Sequence, residues 1–406
     1  MPTVVPSSVQ CLARACVLGL AVAASLTAHA ADPRARALGV PFEGKPGALN
    51  AITDVAGVTV GQVTLIEDRE DGHKVRTGVT AILPRGRDSF ETPVFGGWFA
   101  LNGNGEMTGT TWLEESGQLE GPVMLTNTHS VGVVRDAVIA ERVKAGGADA
   151  SGYWWSLPVV AETWDGHLND INGFHVKPEH VAQALRDASG GPVAEGNVGG
   201  GTGMVCHEFK CGIGSASRVV ALENAQYTVG VLVQANYGIR DTLRIAGVPV
   251  GQHLRADRVY TDPALAIAGD APNGDTGSII IVVATDAPLL PHQLDRIAKR
   301  AGMGLARMGS YAGNGSGDIF VAFSTANAAA AKGASRNEAS FVGNDHLDDL
   351  FNATVQATEE AIVNAMIASR DMRGEGGHYA NALPHDALVR LLKRYGRYER
   401  AQSQGR

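Results

Sequence analysis

The chain has 406 residues, 44% of them hydrophobic, which is length enough for one large domain or two. Its formal net charge is −8 and it carries no long Lys/Arg block, so the electrostatic footprint of a nucleic-acid-binding protein is excluded. The 51 glycines follow no collagen-like period and suit tight turns and close backbone packing in a sheet-rich fold.

The N-terminus holds a short polar region with Arg14, an apolar run from Ala15 to Ala24, and the small-x-small triplet Ala28-His29-Ala30. This pattern predicts a secretory signal peptide over residues 1–30, cut after Ala30; its apolar run is too short to span a bilayer. The mature chain is expected to be soluble and exported, periplasmic in a Gram-negative cell, with no membrane partner and no nucleic acid. Cys11 and Cys16 leave with that segment, and Cys206 and Cys211 remain. In an oxidising compartment these two are expected to form a local disulfide. A metal site using His207 and Glu208 is the sharper alternative, but Cys-x4-Cys without a second ligand cluster is a weak signal.

Residues 32–50 read as irregular. Val55–Leu65 and Gly78–Pro84 read as strands from their β-branched content. Gly97–Gly109 reads as a tight loop; its glycine spacing does not fit a dinucleotide fingerprint. Gly121–His129 reads as a strand with a polar end, and residues 131–144 have helical spacing in Val134, Val138 and Val143. Leu157–Gly166 opens as an apolar strand with Glu162 just beyond its apolar part. That carboxylate is either a solvated strand end or an anchor for a cationic substrate group. Pro178-Glu179 opens a helix over 178–188. Gly196–Gly203 reads as a flexible loop without the lysine of a phosphate loop. Residues 217–223 and Tyr227–Gly238 read as a hairpin closed by Asn236, an amide that either caps a turn or donates N–H to an oxyanion.

Residues 240–277 are loop-rich, and Gly269–Gly277 resembles an exposed linker. It runs directly into Ser278 and the apolar stretch Ile279–Thr285, a strand pattern buried on both faces. The bland reading is a loop entering a core strand. The sharper one is a self-processing bond between Gly277 and Ser278. The Ser278 hydroxyl would attack the preceding carbonyl, and hydrolysis of the ester would free a serine whose own α-amine is a ready base. Pro291 starts a helix to about Met308, and Ala312–Ser324 turns into another strand. There Ser316 and Asp318 are two apart, so an extended chain puts hydroxyl and carboxylate on one side. Helices are expected over 346–370 and 384–398. Strands in clusters and helices in pairs, without strict β-α-β alternation, argue for an α+β fold of stacked sheets covered by helices.

Four stretches carry a resemblance to a known family: residues 277–290 (Gly-Ser-Ile-Ile-Ile-Val-Val-Ala-Thr-Asp-Ala-Pro-Leu-Leu), 314–319 (Asn-Gly-Ser-Gly-Asp-Ile), 158–166 (Pro-Val-Val-Ala-Glu-Thr-Trp-Asp-Gly) and 233–238 (Val-Gln-Ala-Asn-Tyr-Gly). With them the chain resembles the exported L-aminopeptidase/D-esterase and β-peptidyl aminopeptidase family over essentially its whole mature length. The resemblance implies a four-layer αββα sandwich like that of N-terminal-nucleophile hydrolases. It implies a precursor cut between Gly277 and Ser278 into an α chain (31–277) and a β chain (278–406) of one catalytic domain. Ser278 would be the nucleophile and its amine the base. Ser316 and Asp318 would orient that amine, Asn236 would serve the oxyanion, and Glu162 would hold the substrate's free ammonium. It further implies no metal or other cofactor, a small peptide or amide substrate, and a homotetramer of αβ units. Trp164 resembles the β-peptidyl branch, whereas the branch acting on L-amino acid peptides and D-amino amides tends to carry tyrosine there.

Three rival readings are kept. An acyltransferase of the related self-cleaving type is disfavoured by the signal peptide. A Ser-His-Asp hydrolase using His129 or His378 lacks a Gly-x-Ser-x-Gly elbow. An exported binding protein would leave the mature chain uncut.

Overall fold

A computed structural model describes residues 33–146, 151–152, 155–259, 277–331 and 335–400. From Pro33 onward the chain forms one unit; the expected leader lies outside the described residues, as does most of the expected linker before Gly277.

In chain order the strands are β1 (Thr59–Asp68), β2 (Lys74–Arg87), β3 (Val94–Gly103), β4 (Gln118–Leu119), β5 (Val123–Asn127), β6 (Val159–Thr163), β7 (Val205–Cys206), β8 (Phe209–Lys210), β9 (Ile213–Leu222), β10 (Ala225–Asn236), β11 (Ser278–Thr285), β12 (Gly317–Ser324), β13 (Met372–Arg373) and β14 (Tyr379–Ala380). The helices are α1 (Thr110–Ser116), α2 (Val131–Ala145), α3 (Pro178–Asp187), α4 (Val250–His253), α5 (Pro291–Arg307), α6 (Asp348–Ile367) and α7 (His385–Arg394).

Two sheets carry the architecture. One runs β1-β2-β5-β6 and the other β4-β3-β12-β11-β10-β9. Each holds one parallel pair joined through a helix: β5 and β6 by way of α2, β11 and β12 by way of α5. A parallel pair needs such a crossover, whereas β9–β10 and β1–β2 need only short turns.

Strand parity sorts the core into layers. On β11, Ile279, Ile281 and Val283 pack with Leu294, Ile297 and Ala301 of α5 and with Ala357 and Ala361 of α6. The alternate residues Ile280, Val282 and Ala284 pack with Leu125, Val159 and Ala161 of the other sheet. Behind that sheet Val79, Ala81 and Val160 pack with Val134 and Val138 of α2 and Val181 of α3. The order is helices, sheet, sheet, helices. All eight residues of β11 are buried, as its unbroken β-branched run requires.

The helices over 131–144, 178–188, 291–308 and 346–370 lie where the pattern puts them, within a residue or three; the last ends at Arg394 rather than 398. Two expectations are corrected. The stretch read as a loop from Gly97 is a strand as far as Gly103, paired along β12. Its glycine served a different end: a Cβ on Gly97 would stand 2.4 Å from Asp295 Oδ1, so the residue allows α5 to close on the strand. Gly196–Gly203 is not a flexible loop either. Gly199–Gly201 is a buried 3-10 turn whose N–H groups donate to Thr64 Oγ1 (2.9 Å) and Thr80 Oγ1 (3.1 Å). Cys206 and Cys211 are bonded, closing the small β7–β8 hairpin. No described helix is long and apolar enough to cross a membrane.

Candidate active site

Ser278 is the first residue of β11. Its register neighbours are Asn236, the last residue of β10, and Gly317, the first of β12. It shares a face with Ile280 and Val282, so its side chain belongs to the space between the sheets, where it is 6% exposed. Three strands therefore end at one level, and a hydroxyl, a carboxamide and a glycine meet there.

Asn236 is held by its oxygen. Oδ1 accepts from the Val205 N–H at 2.8 Å, so the group that the amide has left to offer is its –NH2. Two residues earlier Gln234 ties the sheets together, donating through Nε2 to Thr126 O (2.8 Å) and Thr163 Oγ1 (2.9 Å).

Ser316 and Asp318 flank Gly317 on either side. The expected pairing is present: Ser316 Oγ donates to Asp318 Oδ1 at 2.7 Å, and both residues are fully buried. The Gly103–Met107 segment clamps this turn. Asn104 N–H donates to Ser316 O (3.3 Å) and Asn104 Nδ2 to Gly315 O (2.8 Å).

Before Ser278, the Gly277 carbonyl accepts from the Gly317 N–H at 3.2 Å. A Cβ on Gly277 would lie 2.2 Å from Asn236 O and 2.4 Å from Tyr237 Cα, distances no side chain tolerates. The residue has to be glycine for the chain to approach β10 this closely.

Glu162 is not a solvated strand end. It lies within β6 and is 3% exposed. Its carboxylate accepts from the Glu106 N–H (2.9 Å) and from Thr128 Oγ1. Burial pushes its pKa above the ordinary carboxylate value, against the pull of the Thr128 and Glu106 hydrogen bonds. It stands close to the strand ends: a Cβ on Gly105 would lie 3.3 Å from Glu162 Oε1 and 3.3 Å from Gly317 Cα, so one methyl group would span the gap. Trp164, two residues on, is 42% exposed and lies over Gly166.

All the residues expected at the site thus come from strand ends or the turns beside them. Sequence reading missed Thr128, the Glu106 and Gly317 N–H groups, and the Val205 N–H that orients Asn236. Three of these are backbone groups, invisible to residue type; Thr128 stood in view in a polar strand end but at no diagnostic spacing. His129 stacks on Phe174, and His378 on His167, so neither histidine is paired with Ser278 in the described contacts. No group of three or more potential metal ligands occurs among the described residues.

Face-to-face sheets, helices on both outer faces, and a serine opening a central strand define an N-terminal-nucleophile (Ntn) hydrolase fold. The solved L-aminopeptidase D-Ala-esterase/amidase from Ochrobactrum anthropi, described as a prototype of the serine aminopeptidases and a variant of the Ntn hydrolase fold, superposes with a TM-score of 0.83. It is 47% identical, over 90% of this chain and 99% of that one. The β-peptidyl aminopeptidase BapA of Sphingosinicella microcystinivorans is 55% identical over 96% of this chain and 98% of its own. The β-peptidyl aminopeptidase BapA of Sphingosinicella xenopeptidilytica is 48% identical over 92% and 94%. The model of peptidase family S58 matches residues 50–380. The chain belongs to peptidase family S58 and is an aminopeptidase.

Proposed function

We propose that the chain is an exported, self-processing serine aminopeptidase that releases N-terminal β-amino acids from β-peptides, β-alanyl dipeptides and related amides. The observation that carries this reading is the junction at Ser278: a hydroxyl at the head of a rigid central strand, directly after a glycine whose carbonyl is held by the Gly317 N–H, and beside the Ser316–Asp318 pair.

In the processing step Ser278 Oγ attacks the Gly277 carbonyl carbon. The C–N bond breaks, the nitrogen leaves as the Ser278 amine, and an ester remains. Water hydrolyses that ester, giving a Gly277 carboxylate and a free Ser278. The Gly317 N–H supports the reading because it polarises the carbonyl under attack.

In turnover the Ser278 amine, ordinarily of pKa about 7.7–8.0, takes the proton from its own Oγ. The oxygen attacks the substrate carbonyl, and the Asn236 amide N–H stabilises the oxyanion. The amine then returns the proton to the leaving nitrogen, and water releases the acyl group. Ser316 and Asp318 orient the amine. Glu162 binds the substrate ammonium and so restricts cleavage to free N-termini, while Trp164 walls the space for the first residue.

Trp164 and the two β-peptidyl relatives support the β-amino acid preference. The likeness to the Ochrobactrum enzyme favours L-aminopeptidase and D-amidase/esterase activity as the second reading. Intact mass of purified enzyme tests the processing step: two polypeptides, one starting at Ser278, are expected, and one unbroken active chain overturns it. Hydrolysis rates on β-alanyl, L-alanyl and D-alanyl amides then decide between the two specificities, and a water-to-amine partition assay checks for acyl transfer.

A further inference from the structure

Directly behind Trp164 lies a buried polar cluster to which the reaction assigns no part. Asp165 is fully buried. Its Oδ1 accepts from Asn169 Nδ2 at 3.0 Å, and Asn169 Oδ1 in turn accepts from the Arg76 N–H of β2 at 2.9 Å. The side chains of Thr77 and Asn127 lie within hydrogen-bonding reach of the same carboxyl, and Asn127 Nδ2 is already donating to Thr77 Oγ1 at 2.7 Å. Two buried acceptors are left over: Asp165 Oδ2 and Asn127 Oδ1, neither with a partner among the described residues. Two unsatisfied acceptors in one buried cluster cost several times what a hydrogen bond returns. A single proton on Asp165 Oδ2, shared with Asn127 Oδ1, would satisfy both.

The position of these two residues gives that bond its consequence. Asn127 ends β5 and is followed by Thr128, whose hydroxyl holds the Glu162 carboxylate. Asp165 follows Trp164, and its own carbonyl accepts from the N–H groups of Leu168 and Asn169 (both 3.0 Å), fixing the turn that carries Trp164. We propose that Asp165, as an uncharged acid hydrogen-bonded to Asn127, is the positioning residue that locks the ends of β5 and β6 together and thereby sets the Glu162–Trp164 substrate-binding segment. The surroundings suit this. From β2 comes neutral Thr77, while the Arg76 guanidinium turns away to Glu67 O, Asp68 and Arg373 O. From the following turn come Asn169 and His167, whose ring stacks on His378, and Gly203 packs against the Asp165 Cβ. With no cation facing it among the described residues, burial pushes the Asp165 pKa up to about 7.

The inference rests on Glu162 being the ammonium anchor. The test compares KM and kcat for a β-alanyl anilide between pH 6 and 8.5 in the wild-type enzyme and in Asp165→Asn, which keeps a donor without a titrating proton. The Ser278 amine and the substrate amine titrate in both enzymes, so the ratio of their KM values isolates Asp165. We expect the wild-type KM, relative to Asp165→Asn, to rise about tenfold over this range while the kcat ratio stays flat. Asn127→Ala, which removes the acceptor, should show the high KM already at pH 6 and stands in should Asp165→Asn fail to fold. A KM ratio that does not change with pH, or a pH-independent rise in Asp165→Asn, overturns the proposal. Glu162→Gln separates the two layers of the argument. If it leaves KM unaltered the anchor reading itself falls; if it raises KM while Asp165→Asn follows the wild type, only the role of Asp165 falls.

Discussion

Ser278 matters less for its hydroxyl than for its place. Residues of its type are common, but this one opens a fully buried strand with Asn236 and Gly317 as register partners. Ser278→Ala is therefore expected to remain a single polypeptide with turnover lower by about 10⁴-fold or more, read by mass and by steady-state assay. Glu162→Ala should raise KM for free-amine substrates by about 10- to 100-fold, since a buried charge-assisted contact is lost, with a smaller change in kcat. Because burial raises the Glu162 pKa and the ionised form is the one that would bind an ammonium under the proposed role, kcat/KM should climb as pH rises through that raised value. The Glu162→Ala variant should lack this limb.

Which of these residues could be read from the chain depends on distance along it. Ser316 and Asp318 were legible because a two-residue spacing in an extended chain fixes their side, and the hydrogen bond between them follows. Glu162 was legible as a carboxylate at the end of an apolar run, but its burial was not: the Glu106 N–H and Thr128 that make it tolerable come from segments 56 and 34 residues away. Asp165 gave no signal at all, because Asn127 and Thr77 reach it only through sheet pairing.

At the scale of elements, the junction between β10, β11 and β12 has almost no slack. Gly277→Ala puts a methyl group 2.2 Å from a β10 carbonyl oxygen, so the chain before Ser278 must move. A shift of that size would misalign the proposed attack on the preceding carbonyl. Self-cleavage of the variant should slow by about 100-fold, followed as accumulation of the uncut chain on a denaturing gel. The strongly periodic helices and the β-branched β11 were readable because local pattern and tertiary environment agree there. The β3 segment and the Gly199–Gly201 turn were not. Their glycines signal loops by propensity, whereas here they mark close approach of α5 and of the Thr64 and Thr80 hydroxyls.

For the molecule as a whole, one buried ion pair joins the N-terminal segment, β9 and α6. Glu360 receives Arg218 at 2.7 Å, with both side chains 1% exposed, and Arg36 at 2.8 Å. Burial alone would raise the Glu360 pKa, but the two guanidiniums hold it below the ordinary value. Its stabilising contribution is accordingly present above the usual glutamate range and lost as pH falls through the lowered value. Glu360→Gln should cost about 3–5 kcal/mol in urea unfolding near neutrality, and the difference should shrink in acid. Asp165 acts in the opposite sense: with its pKa raised to about 7, its contribution is lost as pH climbs from about 4 toward that value.

The order of the six-stranded sheet has a consequence for a chain opened between Gly277 and Ser278. The two strands after the break, β11 and β12, lie between β10 on one side and β3 on the other, both from before it. Neither fragment would own the six-stranded sheet, because the later fragment's β11 and β12 fill the gap between the earlier fragment's β10 and β3. Such halves would travel as one particle through any native separation and part only under denaturant, and mixing them after separate synthesis should not rebuild the enzyme.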